Sequence, residues 1–248
     1  MTDSSVRGVV QKLSAWADGL FADLEELERT LSTHLTADFA GEPPFEVGRT
    51  ARAGLGAAVS GFLSAHPGFD GAGLIFKLDL LEPSTARLEW WITDGDGVAR
   101  RDFILDRSSD RFYDYEYLEW FEGGFNAGSR TLAGPYIDHL GVDDYILTLT
   151  VPCHVNDRKV GVAGMDILMN DVEAQLLRML APLGHGAALL SRHNQVLVGN
   201  SGELSTGVRI AVMPPGYSRV PLDVSGVDLS LLYHDGESSV GKSSVGES

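Results

Sequence analysis

The sequence is poor in cysteine, in basic residues and in long apolar runs. Its 248 residues include one cysteine, Cys153, so no disulfide can form within the chain. Lys and Arg number 19 against 35 Asp and Glu, and the formal net charge is −16. This balance argues against binding to nucleic acid or to an anionic membrane surface, because phosphate groups attract cations. No apolar run reaches the roughly 18 residues that a transmembrane helix needs, so no membrane span is predicted.

Sequence signals for export and for catalysis are also missing. Residues 1–19 lack the basic and apolar regions of a signal peptide, so we expect a cytoplasmic protein or an extracytoplasmic domain separated from its anchor. The seven histidines have neither HxH nor HxxxH spacing, and there is no GxSxG elbow. We therefore predict no metal, no cofactor and no catalytic residue. The string GESSVGKS at 236–243 fits a phosphate-loop pattern, but no helix can follow it, and we interpret it as part of a polar tail.

Apolar periodicity predicts helices and strands in a definite order. Spacings of three and four predict one helix over 6–40 and another over 50–65. Further on, the period shortens to two and turn residues separate the segments. The predicted strands are 72–81, 86–93, 98–105, 144–155 and 159–169, with a short helix over 114–121 and a helix that Asn170 caps.

This order predicts an α+β fold. A long N-terminal helix should pack along an antiparallel sheet module, and a smaller β-rich module should follow. We place the boundaries at 1–182 for the helix and the larger module, 183–235 for the smaller module and 236–248 for a disordered tail. The apolar stripe of the first helix is predicted to pack on its own sheet, with a homodimer surface as the alternative.

The stretch FYDYEYLEWFEGG, residues 112–124, mixes aromatic and acidic side chains; we call it the aromatic segment. A small organic cation gains from both, because a carboxylate accepts a charge-assisted hydrogen bond and an aromatic face attracts a cation. Asp166 stands in the apolar strand GVAGMDILM, where a buried carboxylate is costly unless something pairs with it. It either caps neighbouring backbone or meets a ligand. Trp90 and Trp91 point to opposite faces of a strand, and one of them could line the same cavity.

Several sequence strings occur in an order that resembles the Cache family, the PAS-like sensor domains of bacterial chemoreceptors and sensor kinases, here of the double-Cache type. After the long helix come the aromatic segment, GPYID at 134–138, YILTLTVPCHV and VGVAGMDI. The resemblance covers about residues 6–180, and 183–234 resemble a reduced second module. It implies a PAS-like antiparallel sheet and a ligand-binding role in signal transduction.

The resemblance also implies site residues. In the amino-acid-binding members, a tyrosine, an arginine, a tryptophan and a second tyrosine contact the ligand, and an aspartate holds its amino group. By position the first tyrosine, the tryptophan and the aspartate correspond to Tyr113, Trp120 and Asp166. Leu118 stands at the arginine position and Phe121 at the second tyrosine. Because arginine is the usual partner of a carboxylate, its loss shifts the expected ligand from an amino acid towards an amine.

Four further residues are secondary candidates for ligand contact. Tyr136 and Asp138 match the Pro-Tyr-x-Asp string of the family, although a turn is an equally good interpretation of that string. Glu116 or Glu119 could meet a distal ammonium.

The predicted function is a non-catalytic sensor domain for an amine or amino-acid-like cation, with an unknown signalling partner. The alternatives are an enzyme that uses Asp166 and Glu119 as acid and base, and an interaction module with a vestigial pocket.

Overall fold

The computed structural model describes residues 3–83, 88–95, 97–137 and 145–236, and comprises helices and two antiparallel sheets. The α-helices are α1 (Asp3–Leu35), α2 (Arg49–Ala65), α3 (Glu119–Phe121) and α4 (Met169–Leu180), and a π-helical turn (Glu122–Ala127) follows α3. The strands are β1 (Phe69–Phe76), β2 (Glu89–Asp94), β3 (Gly97–Arg101), β4 (Thr131–Ile137), β5 (Tyr145–Val155), β6 (Arg158–Leu168), β7 (Ala187–Leu190), β8 (Val196–Gly199), β9 (Tyr217–Pro221) and β10 (Ser230–His234).

The larger sheet has six strands in the order β3-β2-β1-β6-β5-β4, and all neighbours are antiparallel. The predicted hairpin of β5 and β6 turns through Asn156 and Asp157, both with positive φ, as a tight two-residue turn requires. Asn156 also donates hydrogen bonds from Nδ2 to the backbone carbonyls of Thr36 and Phe39, 2.9 and 3.1 Å away. This contact ties the hairpin to the end of α1.

The apolar stripe of α1 is buried within the chain. Over 33 residues the helix is about 50 Å long, at about 1.5 Å per residue. It packs on β5, β6, α2 and α4. Arg130 at the start of β4 holds it from the side, because its guanidinium donates to Glu25 at 2.6 and 2.9 Å and to Asp18 at 3.0 Å. The hydrogen bonds to Glu25 are the main cause that raises the pKa of Arg130. The stripe therefore serves the packing of this chain, as predicted.

The smaller sheet has the strand order β8-β7-β10-β9. Its inner face joins the same apolar core as the larger sheet, through residues such as Leu189, Leu197 and Leu231. The first half of α1 touches this module, since the backbone N–H of Asp223 donates to Ser14 Oγ at 3.1 Å. The predicted α+β class is confirmed: a long helix lies along one antiparallel sheet, and a smaller antiparallel sheet follows.

The structure differs from the predicted elements in several places. The predicted strands 72–81 and 98–105 end at Phe76 and Arg101. Helix α1 ends at Leu35, before the predicted 40. The short helix begins at Glu119 instead of 114 and continues into the π-helical turn. The string GPYI lies in strand β4, which we did not predict. Helix α4 begins at Met169 with Leu168 at its N-cap, so Asn170 lies inside the first turn and is not the cap.

Two findings concern membranes and metals. None of the helices in the ranges given above combines the length and the apolar character needed to cross a bilayer. Within the same ranges, no group of three or more His, Cys, Asp and Glu side chains is placed to hold a metal ion. Residues 237–248 lie outside the described ranges, so the disordered tail stays a prediction.

Candidate ligand-binding site

One face of the six-stranded sheet carries a cavity of about 230 Å³. The sheet forms one side of the cavity and the aromatic segment forms the other. Its lining residues are Asp70, Ile75, Leu88, Trp90, Ile92, Arg101, Phe103, Tyr113, Leu118, Glu119, Trp120, Ala133, Tyr136, Thr148 and Asp166.

The floor of the cavity is the indole of Trp90, which lies across two neighbouring strands. A Cβ at Gly71 would stand 2.9 Å from Trp90 Nε1, and a Cβ at Gly164 would stand 3.3 Å from the far edge of the same indole. Gly71 is on β1 and Gly164 is on β6, so the absence of side chains there lets the ring lie close to the sheet. Trp91 points to the opposite face and packs against Gly56 of α2. Of the two neighbouring tryptophans, Trp90 lines the cavity.

The carboxylate of Asp166 ends a row of hydrogen bonds across the sheet. Thr148 Oγ1 donates to Asp166 Oδ1 at 2.6 Å, and the hydroxyls of Tyr136 and Thr148 contact each other. Because Thr148 gives its only proton to Asp166, the phenol of Tyr136 is the donor in the second contact. The row holds the carboxylate in a fixed orientation at the cavity wall.

The first half of the aromatic segment is anchored through two adjacent residues, Tyr115 and Glu116. The buried Tyr115 donates its phenol proton to the backbone carbonyl of Phe76 at 2.5 Å. Burial is the main cause that raises the pKa of this phenol, so Tyr115 stays a donor at physiological pH. Glu116 accepts from Lys77 Nζ at 2.6 Å and from the backbone N–H of Leu78 at 2.9 Å. These bonds fix the segment against the end of β1 and use both oxygens of Glu116, which is therefore engaged outside the cavity lining.

The position of Trp120 depends on β5. Thr150 Oγ1 donates to the backbone carbonyl of Trp120 at 2.7 Å. The next turn can approach the sheet because Gly124 has no side chain: a Cβ there would stand 2.7 Å from Val162 and 2.9 Å from Thr150. The indole of Trp120 stacks on Tyr115 with ring centroids 6.1 Å apart. The second wall of the cavity is thus rigidly attached to the first.

The cavity brings together four of the six predicted site residues. Tyr113, Trp120, Tyr136 and Asp166 all line it. Phe121 does not appear in the lining; it is buried behind the wall and packs on Tyr115, Trp120 and Phe125. Asp138 lies outside the described residues.

Other lining residues were either secondary candidates or not considered from the sequence. Leu118, at the position of the family arginine, lines the cavity as an apolar side chain. Glu119 lines it too, and His193 and Arg192 of the smaller module contact its carboxylate at 2.9 and 3.5 Å. Arg101 and Asp70 were not considered. The hairpin turn in TDGDG could have placed Arg101 beside Trp90, with which it is aligned across β2 and β3, but not beside the aromatic segment.

The fold resembles that of solved structures of chemoreceptor domains. The ligand-binding domain of Pseudomonas fluorescens chemoreceptor CtaA, in complex with L-valine, is 16% identical over 96% of this chain and 96% of that chain, with a TM-score of 0.59. The domain of the Pseudomonas aeruginosa amino acid chemoreceptor PctC, in complex with GABA, is 17% identical over 93% and 96%, with a TM-score of 0.58. The Campylobacter jejuni Tlp3 domain, in complex with 4-methylisoleucine, is 10% identical over 93% and 87%, with a TM-score of 0.62.

The chain has the fold of chemoreceptor ligand-binding domains. The similarity extends over most of its length, both sheets included, and the fold implied by the Cache resemblance is confirmed. At these identities the likeness concerns the fold alone. No family model and no curated protein sequence matches the chain.

Proposed function

We propose that this chain is a non-catalytic sensor domain whose cavity binds a small organic ammonium compound. The observation that carries the proposal is Asp166, whose carboxylate is oriented by Thr148 at the wall of a cavity of about 230 Å³ lined by aromatic rings. An ammonium group there gains a charge-assisted hydrogen bond from Asp166 and the faces of Trp90 and Trp120.

The ligand contacts that we propose come from both walls. Asp166 accepts from the ammonium, and Tyr113, Trp120 and Trp90 surround it. Tyr136 acts chiefly through Thr148. Phe121 supports Trp120 from behind and does not contact the ligand.

The structures with this fold support a sensing role. Those of CtaA, PctC and Tlp3 are domains of chemoreceptors and hold L-valine, GABA and 4-methylisoleucine. We carry the role of ligand recognition over to this chain, with 1–182 as the ligand-binding module. The lining residues, from Asp70 to Asp166, all belong to that module. Arg192 and His193 of the 183–235 module reach Glu119 at the cavity, so we propose that ligand binding is felt by that module.

Thermal unfolding with a panel of amines and amino acids tests the proposal. A ligand at one hundred times its Kd adds about 2.7 kcal/mol of stability, which raises Tm by roughly 5–10 °C in a chain of this size. Asp166→Asn should abolish this rise, because the amide cannot neutralise an ammonium. Asp171→Asn, an exposed carboxylate on α4, is the matched control and should keep it. NMR of the recovered ligand should find it chemically unchanged.

The proposal is wrong if no compound raises Tm, or if a ligand protects Asp166→Asn as well as the unaltered protein. Conversion of the ligand to a product would instead favour an enzyme.

A further inference from the structure

Two neighbouring arginines on β3 point to opposite faces of the larger sheet. Arg100 faces the helices, where its Nη1 lies 3.8 Å from the buried Glu89 and its Nη2 contacts Asp102. Glu89 is also bound by Arg52 Nε of α2 at 2.8 Å. Arg101 is aligned with Trp90 and lines the cavity. One arginine thus serves the packing of the sheet against α2, and the other faces the candidate site.

Arg101 has no charge partner among the residues that the structure describes. Within residues 3–83, 88–95, 97–137 and 145–236, no carboxylate lies within 4.0 Å of its guanidinium, and no described group accepts a hydrogen bond from it. The side chain is only partly exposed. An arginine held in a partly dry cavity without a carboxylate retains five donors for a ligand.

The charges around the cavity are separated. Asp166 lies on β6 and Arg101 on β3, three strand spacings or about 14 Å across the sheet, and both project from the same face. Both side chains line the cavity. Trp90 lies between them as the floor. A molecule in the cavity therefore meets the guanidinium of Arg101 and the carboxylates of Asp166, Asp70 and Glu119. Glu119 is already contacted by His193 and Arg192.

The middle of the cavity is apolar. Leu118, which replaces the arginine of the amino-acid-binding relatives, contributes an aliphatic wall, and Ile75, Ile92 and Phe103 contribute others. An aliphatic side chain on the ligand would bury apolar surface there.

We propose that Arg101 binds a carboxylate of the ligand, so that the ligand is an amino acid zwitterion with an apolar side chain. This inference rests on the proposed function, because Asp166 must hold the ammonium at the other end. The ligand expected from Leu118 was an amine without a carboxylate. We now expect an amino acid, because Arg101 on β3 supplies the guanidinium that is missing at position 118. A planar guanidinium can bind both oxygens of a carboxylate, which makes it a specificity determinant and not merely a counter-charge.

The test compares each amino acid with the amine that lacks its carboxylate, for instance L-valine with isobutylamine and L-leucine with isoamylamine. All twenty amino acids and their decarboxylated amines are screened by thermal unfolding, and calorimetry then measures Kd for those that bind. The variants are Arg101→Gln, Arg101→Lys and Asp166→Asn. Arg111→Gln is the matched control, since this exposed arginine does not line the cavity.

We expect an amino acid to bind and Arg101→Gln to weaken it about 10- to 100-fold, the usual worth of a charge-assisted pair. The corresponding amine should bind the unaltered protein and Arg101→Gln equally. Arg101→Lys should fall between them, because it keeps the charge but not the planar geometry. Asp166→Asn should weaken both classes of compound, and Arg111→Gln neither.

Several results would overturn the inference. Amines that bind while no amino acid does would overturn the role of Arg101 and leave the ammonium site intact. An amino acid whose Kd is unchanged in Arg101→Gln would also overturn the role of Arg101. If Arg101→Gln weakened the binding of the amino acid and of the amine equally, Arg101 would have a structural role only. If no compound of either class binds, the proposed function fails together with the inference.

Discussion

The two faces of the six-stranded sheet are built from the same strands and serve different purposes. The helix face is covered by α1 and α2, and its buried carboxylate, Glu89, is paired with Arg52 and Arg100. The cavity face has glycine at positions 71 and 164, where a side chain would meet Trp90. It also carries Asp166 on β6 and Arg101 on β3, which are three strand spacings apart. On the first face charge is neutralised within the protein. On the second face, we propose that Asp166 and Arg101 recognise the two charged groups of a ligand.

Truncation on the helix face should have the largest effect on stability. Leu149 of β5 is fully buried under the helices, so Leu149→Ala should lower the free energy of unfolding by about 2–5 kcal/mol through lost burial and a residual cavity. Urea unfolding monitored by circular dichroism measures the loss. Ligand affinity at a temperature where the variant is folded should stay unchanged; a weakened affinity would show that the two faces are not independent.

Substitution of Thr148, the neighbour of Leu149 on β5, should affect ligand binding more than stability. Thr148→Val keeps the shape of the side chain but removes the hydrogen bond to Asp166, so the carboxylate loses its orientation. A hydrogen bond to a charged group contributes about 1.5–3 kcal/mol, and we expect most of this loss to appear in ligand binding measured by calorimetry. Thr148→Ser, which retains the hydroxyl, is the control. Equal affinity in the valine and serine variants would contradict the role of the row.

Two glycine substitutions distinguish the two tryptophans. In Gly71→Ala the new methyl would stand 2.9 Å from Trp90 Nε1, so the floor must shift, with a cost of about 1–3 kcal/mol shared between stability and binding. In Gly56→Ala the methyl would stand 3.3 Å from Trp91, on the other face. Calorimetry and tryptophan fluorescence should show weaker ligand binding in the first variant alone. Loss of binding in Gly56→Ala would mean that Trp91 also influences the cavity.

The buried thiol of Cys153, on the helix face, should make a smaller contribution to the free energy of unfolding, and this contribution should depend on pH. Burial, with a lesser contribution from Glu28, raises the pKa of the Cys153 thiol well above its usual value. The unfolded chain then loses the thiol proton near pH 8.5 while the folded chain keeps it, so stability falls as pH rises above that value. Between pH 8 and 10 the thiol should account for about 1–2 kcal/mol of the decline.

Urea unfolding of the unaltered protein and Cys153→Val at both pH values isolates this contribution, because the other titrating groups are common to both. The decline should be smaller in the variant. An identical decline would show that the thiol ionises in the folded protein and that this face is not dry.

Local patterns in the sequence determined the positions of the main helices, the faces to which strand residues point and several residues of the cavity. The spacing of apolar residues predicted α1 and α2, and strand alternation predicted that Trp90 and Trp91 lie on opposite faces of the sheet. The same alternation separates Arg100 from Arg101. The strings around Tyr113, Trp120, Tyr136 and Asp166 pointed to residues that do line one cavity. These features depend on chain periodicity and near neighbours, which a sequence contains.

Only the tertiary structure decided which face of the sheet holds the cavity. That choice depends on where α1 and α2 pack, a contact between residues far apart in the chain. For the same reason, position-by-position comparison found Leu118 in place of an arginine but could not find Arg101. A guanidinium on β3 comes beside the aromatic segment only when the sheet has formed and the segment has folded across it.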